Sequence, residues 1–141
     1  MRPPEVLLAD LVQQPSARVR AAVIAVLLSH PEYAEAVPAA LERLRPRDRL
    51  TFQSFYMAAV LLQQEYANRL RSFLMARWRW LPELFSAELG LSGEGTPRER
   101  LILLGHVHRH RTQATVNWAG TYEHVVRQLL RHWELEIQWN Q

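Results

Sequence analysis

The stretch Asp48-Arg49-Leu50-Thr51-Phe52-Gln53-Ser54-Phe55-Tyr56-Met57-Ala58-Ala59-Val60-Leu61-Leu62 decides the fold of this chain. From Phe52 onward, apolar residues recur in steps of three and four, at Phe55, Ala59, Leu62, Tyr66, Leu70 and Phe73. A helix of 3.6 residues per turn brings these positions to one side. Met57, Val60 and Leu61 widen that side, so the helix must touch neighbours in more than one direction. The spacing predicts the longest element of the chain, capped by Asp48 and surrounded by other helices.

On its N-terminal side the same periodicity continues. Pro3 and Pro4 open a first helix whose apolar side is Leu7, Leu8, Leu11 and Val12. Pro15 breaks it, and Ser16 is a suitable N-cap for a second helix over residues 17–29. That second helix is apolar on nearly every side after Arg20, which predicts that it is the most buried element. Pro31 opens a third, with a stripe of Tyr33, Val37, Leu41 and Leu44, and Pro38 inside the stripe should kink or split it.

On the C-terminal side, Pro82 should start a short helix carrying Leu84, Phe85 and Leu89, ended by Gly90 in left-handed backbone. Residues 91–95 read as a loop. Thr96-Pro97-Arg98-Glu99 has the form of a capping box with proline at the first helical position. A last amphipathic helix from Asn117 or Thr121 carries Tyr122, Val126, Leu129 and Trp133 and should run on through Ile137. The expectation is a single all-α domain, residues 1–141, of six to eight helices. Its core should include Val23, Ile24, Leu27, Phe55, Ala59, Leu62, Leu104, Val126 and Leu129.

Composition narrows the function classes. Hydrophobic residues make up 48% and charged residues 22%, which is ordinary for a globular protein. There is no cysteine, so disulfide frameworks and thiolate chemistry are excluded. The longest uncharged apolar run, residues 21–28, is too short to cross a bilayer, and no secretory leader is legible. The expected location is the cytoplasm, with no membrane partner. All 17 basic residues other than histidine are arginine. Arginine's planar fork suits phosphate and carboxylate recognition. The net charge is only +3 and acids are scattered among the bases, so coding bias is the plainer source of this usage.

Residues 7–44 resemble a HEAT-type helical repeat. The resemblance rests on Asp10-Leu11, then Pro15-Ser16-Ala17-Arg18-Val19-Arg20-Ala21-Ala22-Val23, then Ala25-Val26-Leu27-Leu28. In that family a short turn, a Val-Arg pair and small residues open the inner helix. The resemblance covers about the first third of the chain, with no second copy at a fixed period. It implies stacked helix pairs and a surface that binds another macromolecule.

Arginine followed by histidine after a gap of four to six residues resembles the signature of HEPN-type ribonucleases, which are small, helical and often dimeric. Arg100 to His106 and Arg127 to His132 match it. The second pair has the polar Gln128 after its arginine and fits better. The resemblance implies that Arg127 binds phosphate while His132 acts as acid or base.

Two further clusters carry chemistry. In His106-Val107-His108-Arg109-His110, a helix places His106 and His110 on one face with Glu99. Two histidines at i and i+4 plus a carboxylate could ligate a metal. Arg98, Arg100, Arg109 and Arg111 raise the local positive potential, so a solvated face is the favoured alternative, with His108 at the edge of the core. Arg77-Trp78-Arg79-Trp80 alternates cations and indoles, which suits single-stranded nucleic acid. The alternative is a helix end with tryptophans packed inward and arginines extended outward. Gly90, Gly93 and Gly95 match no phosphate-binding fingerprint, and no nucleophile elbow or carboxylate pair is present.

The leading expectation is a non-enzymatic helical adaptor that binds another protein and needs no cofactor. Trp133, Ile137 and Trp139 near the chain end predict a homodimer through the C-terminal part. The alternatives are a HEPN-type ribonuclease or nucleic-acid-binding component, and a metal-dependent helical enzyme using Glu99, His106 and His110.

Overall fold

A computed structural model describes residues 2–113 and 116–139. It contains eight α-helices in these residues, α1 (Pro4–Val12), α2 (Ala17–Arg20), α3 (Ala22–Ser29), α4 (Val37–Glu42), α5 (Pro46–Glu65), α6 (Ala67–Leu74), α7 (Pro97–Thr112) and α8 (Trp118–Trp139), and no strand. Short 3-10 turns at Pro31–Ala36 and Met75–Arg77 precede α4 and follow α6. The all-α expectation holds.

Helix α5 is the centre. Every residue from Ser54 to Gln63 is buried. It packs on α3, α7 and α8, and α1 also reaches it. The second helix is therefore not the most buried element. It is also divided at Ala21 into α2 and α3, and α2 buries none of its residues. Its Val23, Ile24 and Leu27 are fully buried as expected, as are Phe55, Ala59, Leu62, Leu104 and Val126. Leu129 packs at the margin of the core.

Several boundaries differ from the sequence reading for identifiable reasons. Helix α5 begins at Pro46, so Asp48 lies inside its first turn and is not the cap. The long helix pauses at Tyr66, which leaves α8 as the longest element with 22 residues. The third segment is split as expected, into a 3-10 turn and α4, with Pro38 in the first turn of α4. No helix starts at Pro82. Side chains from α5 instead hold this segment in a non-helical path by bonding its main chain. The Tyr56 hydroxyl donates to Pro82 O at 2.6 Å, Gln63 Nε2 donates to Arg79 O at 2.6 Å, and Leu81 N–H donates to Gln63 Oε1 at 2.7 Å. Gly90 nonetheless takes the left-handed conformation, with φ +67°.

The capping box at Thr96 forms in full. Glu99 N–H donates to Thr96 Oγ1 at 3.1 Å, and Thr96 N–H donates to Glu99 Oε1 at 3.3 Å. Helices α7 and α8 meet at Gly105. A Cβ there would lie 2.9 Å from Ala119 N, closer than packed atoms tolerate. Gly105→Ala should gain helix propensity of about 1 kcal/mol, yet cost about 1–3 kcal/mol through forced separation of the two helices. Urea denaturation should show a net loss of stability. A more stable variant would mean that the α7–α8 contact is not close.

Candidate functional site

A groove of about 910 Å³ runs between α2–α3 and the outer side of α8. One wall is small: Ala17, Ala21, Ala22 and Ala25. The other carries Gly120, Val125 and Leu129 from α8, and the polar rim includes Arg18, His124, Gln128 and His132. Its volume lies in the range of ligand pockets, and its open trough shape also suits a helix.

The base of the groove is held by an aromatic cluster. Trp118 is buried and stacks on His108 of α7, with ring centroids 3.9 Å apart and planes 9° from parallel. Phe55 of α5 meets both rings edge-on. His108 Nδ1 shares a hydrogen bond with the Tyr122 hydroxyl. Three helices thus converge on one imidazole, which orients the first turns of α8. His108 Nε2 and Trp118 Nε1 are buried without a hydrogen-bond partner among the described residues. Burial, and secondarily the charge of Arg20, pushes the His108 pKa down from 6.5 to about 3. The imidazole is therefore neutral in the fold near neutral pH.

An ion-pair hub ties α8 down on its inner side. Glu123 accepts from Tyr66 Oη, from Arg98 Nη2 at 2.7 Å and from Arg127 Nε at 2.9 Å. Arg98 also donates to Glu65 at 2.6 Å. Burial pushes the Glu123 carboxyl up, but the hydrogen bonds from Tyr66 and Arg98 and the nearby arginine charges outweigh it. The net shift is downward. This carboxylate joins the end of α5, α7 and α8.

The residues singled out from sequence are dispersed. Arg127 is bound to Glu123, and His132 pairs with Glu136 at 2.9 Å. Both are largely exposed, and only His132 lines the groove. Arg100 is buried, donates to Glu83 at 2.6 Å, and is thus committed to structure, whereas His106 is exposed. Glu99 is engaged in the capping box, and His106 and His110 stand exposed on α7. Among the described residues, no three His, Asp or Glu side chains gather as a metal-holding group.

Trp78 packs against the core with Arg71 over its ring, while Trp80 is exposed and meets Trp78 edge-on. Arg79 reaches Glu35, and Arg77 is exposed. The tetrapeptide thus splits between packing and solvent.

The groove itself went unread. Its signal was available as Ala17, Ala21 and Ala25, small residues at successive i+4 positions. No helix in the described residues is long and apolar enough to cross a membrane. Comparisons with protein families, curated proteins and solved structures find no match to this chain.

The buried imidazole makes stability depend on pH in a defined window. His108 binds a proton at 6.5 when unfolded and only at about 3 when folded. The unfolded state therefore holds more protons between these values, and stability falls as pH drops below 6.5. The loss is about 1.4 kcal/mol per pH unit. Glu83 and Glu123, whose pKa values are lowered, act only below the ordinary carboxylate range. Urea midpoints measured from pH 7 to pH 5 should fall steadily, and His108→Phe should flatten that slope. An unchanged slope in the variant would assign the effect elsewhere.

Proposed function

We propose that the protein is a non-enzymatic helical adaptor that works as a homodimer, with α8 of a second copy seated in the groove. One observation carries this reading, the register of α8. At 100° per residue, Asn117, Thr121, His124, Gln128, His132, Leu135 and Trp139 lie within about 40° of one line along the helix. Their spacings are four, three, four, four, three and four, the same from either end. Two antiparallel copies centred on Gln128 place the partner's Trp139 on Asn117 and the partner's Leu135 on Thr121. The partner's His132 falls on His124, and Gln128 meets its own copy, where an amide can both donate and accept.

Three features support this occupant. Leu135 and Trp139, both on this line, are 44% and 87% exposed, an unusual apolar end for a helix whose earlier turns are packed. Small residues in the groove let a second helix approach closely. Among the described residues, Arg18 brings positive charge to the groove lining, while Glu136 travels on the projecting end. The pairing is isologous, so it closes as a two-fold dimer and presents every other surface twice. That duplication is what an adaptor needs. Arg127 and His132 stand about 140° apart around α8 at 100° per residue. Both are held by carboxylates, which favours this reading over the ribonuclease alternative.

Light scattering at micromolar concentration should give twice the 16.5 kDa chain mass. Leu135→Asp combined with Trp139→Asp should give the monomer mass with the parent's helical circular dichroism spectrum, since neither residue belongs to the core. A monomeric parent protein would overturn the reading, and so would a dimer indifferent to both substitutions.

A further inference from the structure

On the other side of α2 from the groove lies a second concavity, a cleft of about 640 Å³. We infer that this cleft is a binding site for a compact ligand bearing at least two phosphate groups, gripped by Arg20, Arg45, Arg47 and Arg111. These arginines come from α2, the start of α5 and the end of α7, so the fold gathers them from three separate parts of the chain. Among the described residues, Asp48 is the one carboxylate lining the cleft, which leaves a local excess of three positive charges.

What distinguishes this cluster is that arginines without a carboxylate partner converge on one concavity from three parts of the chain. Arg2, Arg69, Arg79, Arg98, Arg100 and Arg127 are paired with carboxylates, and Arg49, held by the carbonyls of Leu41 and Leu44, stands outside the cleft. Arg20, Arg45, Arg47 and Arg111 form no ion pair among the described residues. Two of them are nevertheless anchored. Arg20 Nη1 donates to Gln14 O and Pro15 O, each at 2.9 Å. Arg111 Nη1 donates to Glu88 O at 2.8 Å. A guanidinium tied to neutral carbonyls is positioned without being neutralised, and its remaining N–H groups stay available. That arrangement suits an anion arriving from solution, because the ordering of two long side chains precedes binding.

The start of α5 adds to the field. Its N-cap, Arg45, provides no side-chain cap, and Pro46 occupies the first turn. The positive end of a 20-residue helix therefore borders the arginines. Asp48 opposes this with one charge against four.

The lining also restricts the ligand class. Among the described residues no aromatic side chain lines the cleft, so they offer no platform on which a base could stack. Thr51 and Gln113 supply hydroxyl and amide groups. Recognition would thus rest on phosphate oxygens and neighbouring hydroxyls. A bounded cleft favours a small polyanion over an extended nucleic-acid strand, which needs a groove open at both ends. The guanidinium fork matches both phosphate and carboxylate oxygens, so a compact tricarboxylate is the competitor to test against.

The test is calorimetric titration of the full chain at physiological salt with three probes: inorganic tripolyphosphate, citrate and a short single-stranded RNA. Tripolyphosphate should bind saturably with one site per chain. Arg45→Ala with Arg47→Ala should weaken it about tenfold or more. Both arginines are exposed, so the fold should keep its melting temperature. Arg109→Ala with Arg131→Ala, which removes two exposed arginines from other surfaces, should leave binding unchanged. Absence of saturable binding would overturn the assignment. Equal weakening by the two double variants would reduce it to diffuse charge. Citrate binding as tight as tripolyphosphate, or RNA binding tighter, would reject the small phosphate ligand. Because the readout is per chain and independent of oligomeric state, its failure and the failure of the dimer are distinguishable.

Discussion

A helix without a solvent face needs a neighbour on every side, and α5 imposes that condition on the whole molecule. Ten consecutive residues, Ser54 to Gln63, are closed off from water. Burying apolar side chains supplies most of the drive for folding. It also requires that the polar groups among them be satisfied. Ser54 returns its hydroxyl to Leu50 O at 2.9 Å, while Tyr56 and Gln63 reach out to the backbone at Arg79, Leu81 and Pro82. The extended segment after α6 is thus held by polar atoms that α5 must satisfy. One constraint, total burial of a helix carrying a tyrosine and a glutamine, shapes both the packing of α3, α7 and α8 and the path of the loop.

This explains what was legible in the sequence. Steps of three and four exposed α5 and its core face at once, because a helix buried on several sides leaves a dense apolar record. The capping box at Thr96 was equally plain, since both partners lie within four residues. Breaks at Tyr66 and Ala21 left no such record: neither residue is a helix breaker, and the interruption answers to tertiary contacts. The missing helix at Pro82 is the clearest instance. Proline, leucine and phenylalanine in that order fit a helix start, but Tyr56 and Gln63 of α5 hold the chain there by Pro82 O and Leu81 N–H, contacts that no local pattern announces.

The candidate sites divide along the same line. Residue types that attract notice, such as His106, His110 and the Arg77–Trp80 tetrapeptide, proved scattered between solvent and packing. Those that shape the groove are alanines and a glycine, which carry no chemistry and so escape a search for chemistry. The arginines needed three-dimensional information for a different reason. Seventeen are present, and their sequence positions give no hint of which meet a carboxylate. Arg98 and Arg100 sit two residues apart on α7, yet one joins the Glu65–Glu123 hub and the other is buried against Glu83.

Pairing is what gives an all-arginine surface its meaning. A guanidinium facing a carboxylate is spent on architecture, since the pair has little net field at a distance. A guanidinium held by carbonyl oxygens keeps its charge while losing its conformational freedom. The fold uses the first arrangement at the inner side of α8, where Glu123 gathers Arg98 and Arg127, and the second around the cleft, where Arg20 and Arg111 are fixed by main-chain oxygens. Helix α2 lies between these worlds. Its Ala17 lines the groove while its Arg20 lines the cleft, so four residues with no buried side chain separate the two concavities. A segment that contributes so little to the core is placed by what stands on either side of it.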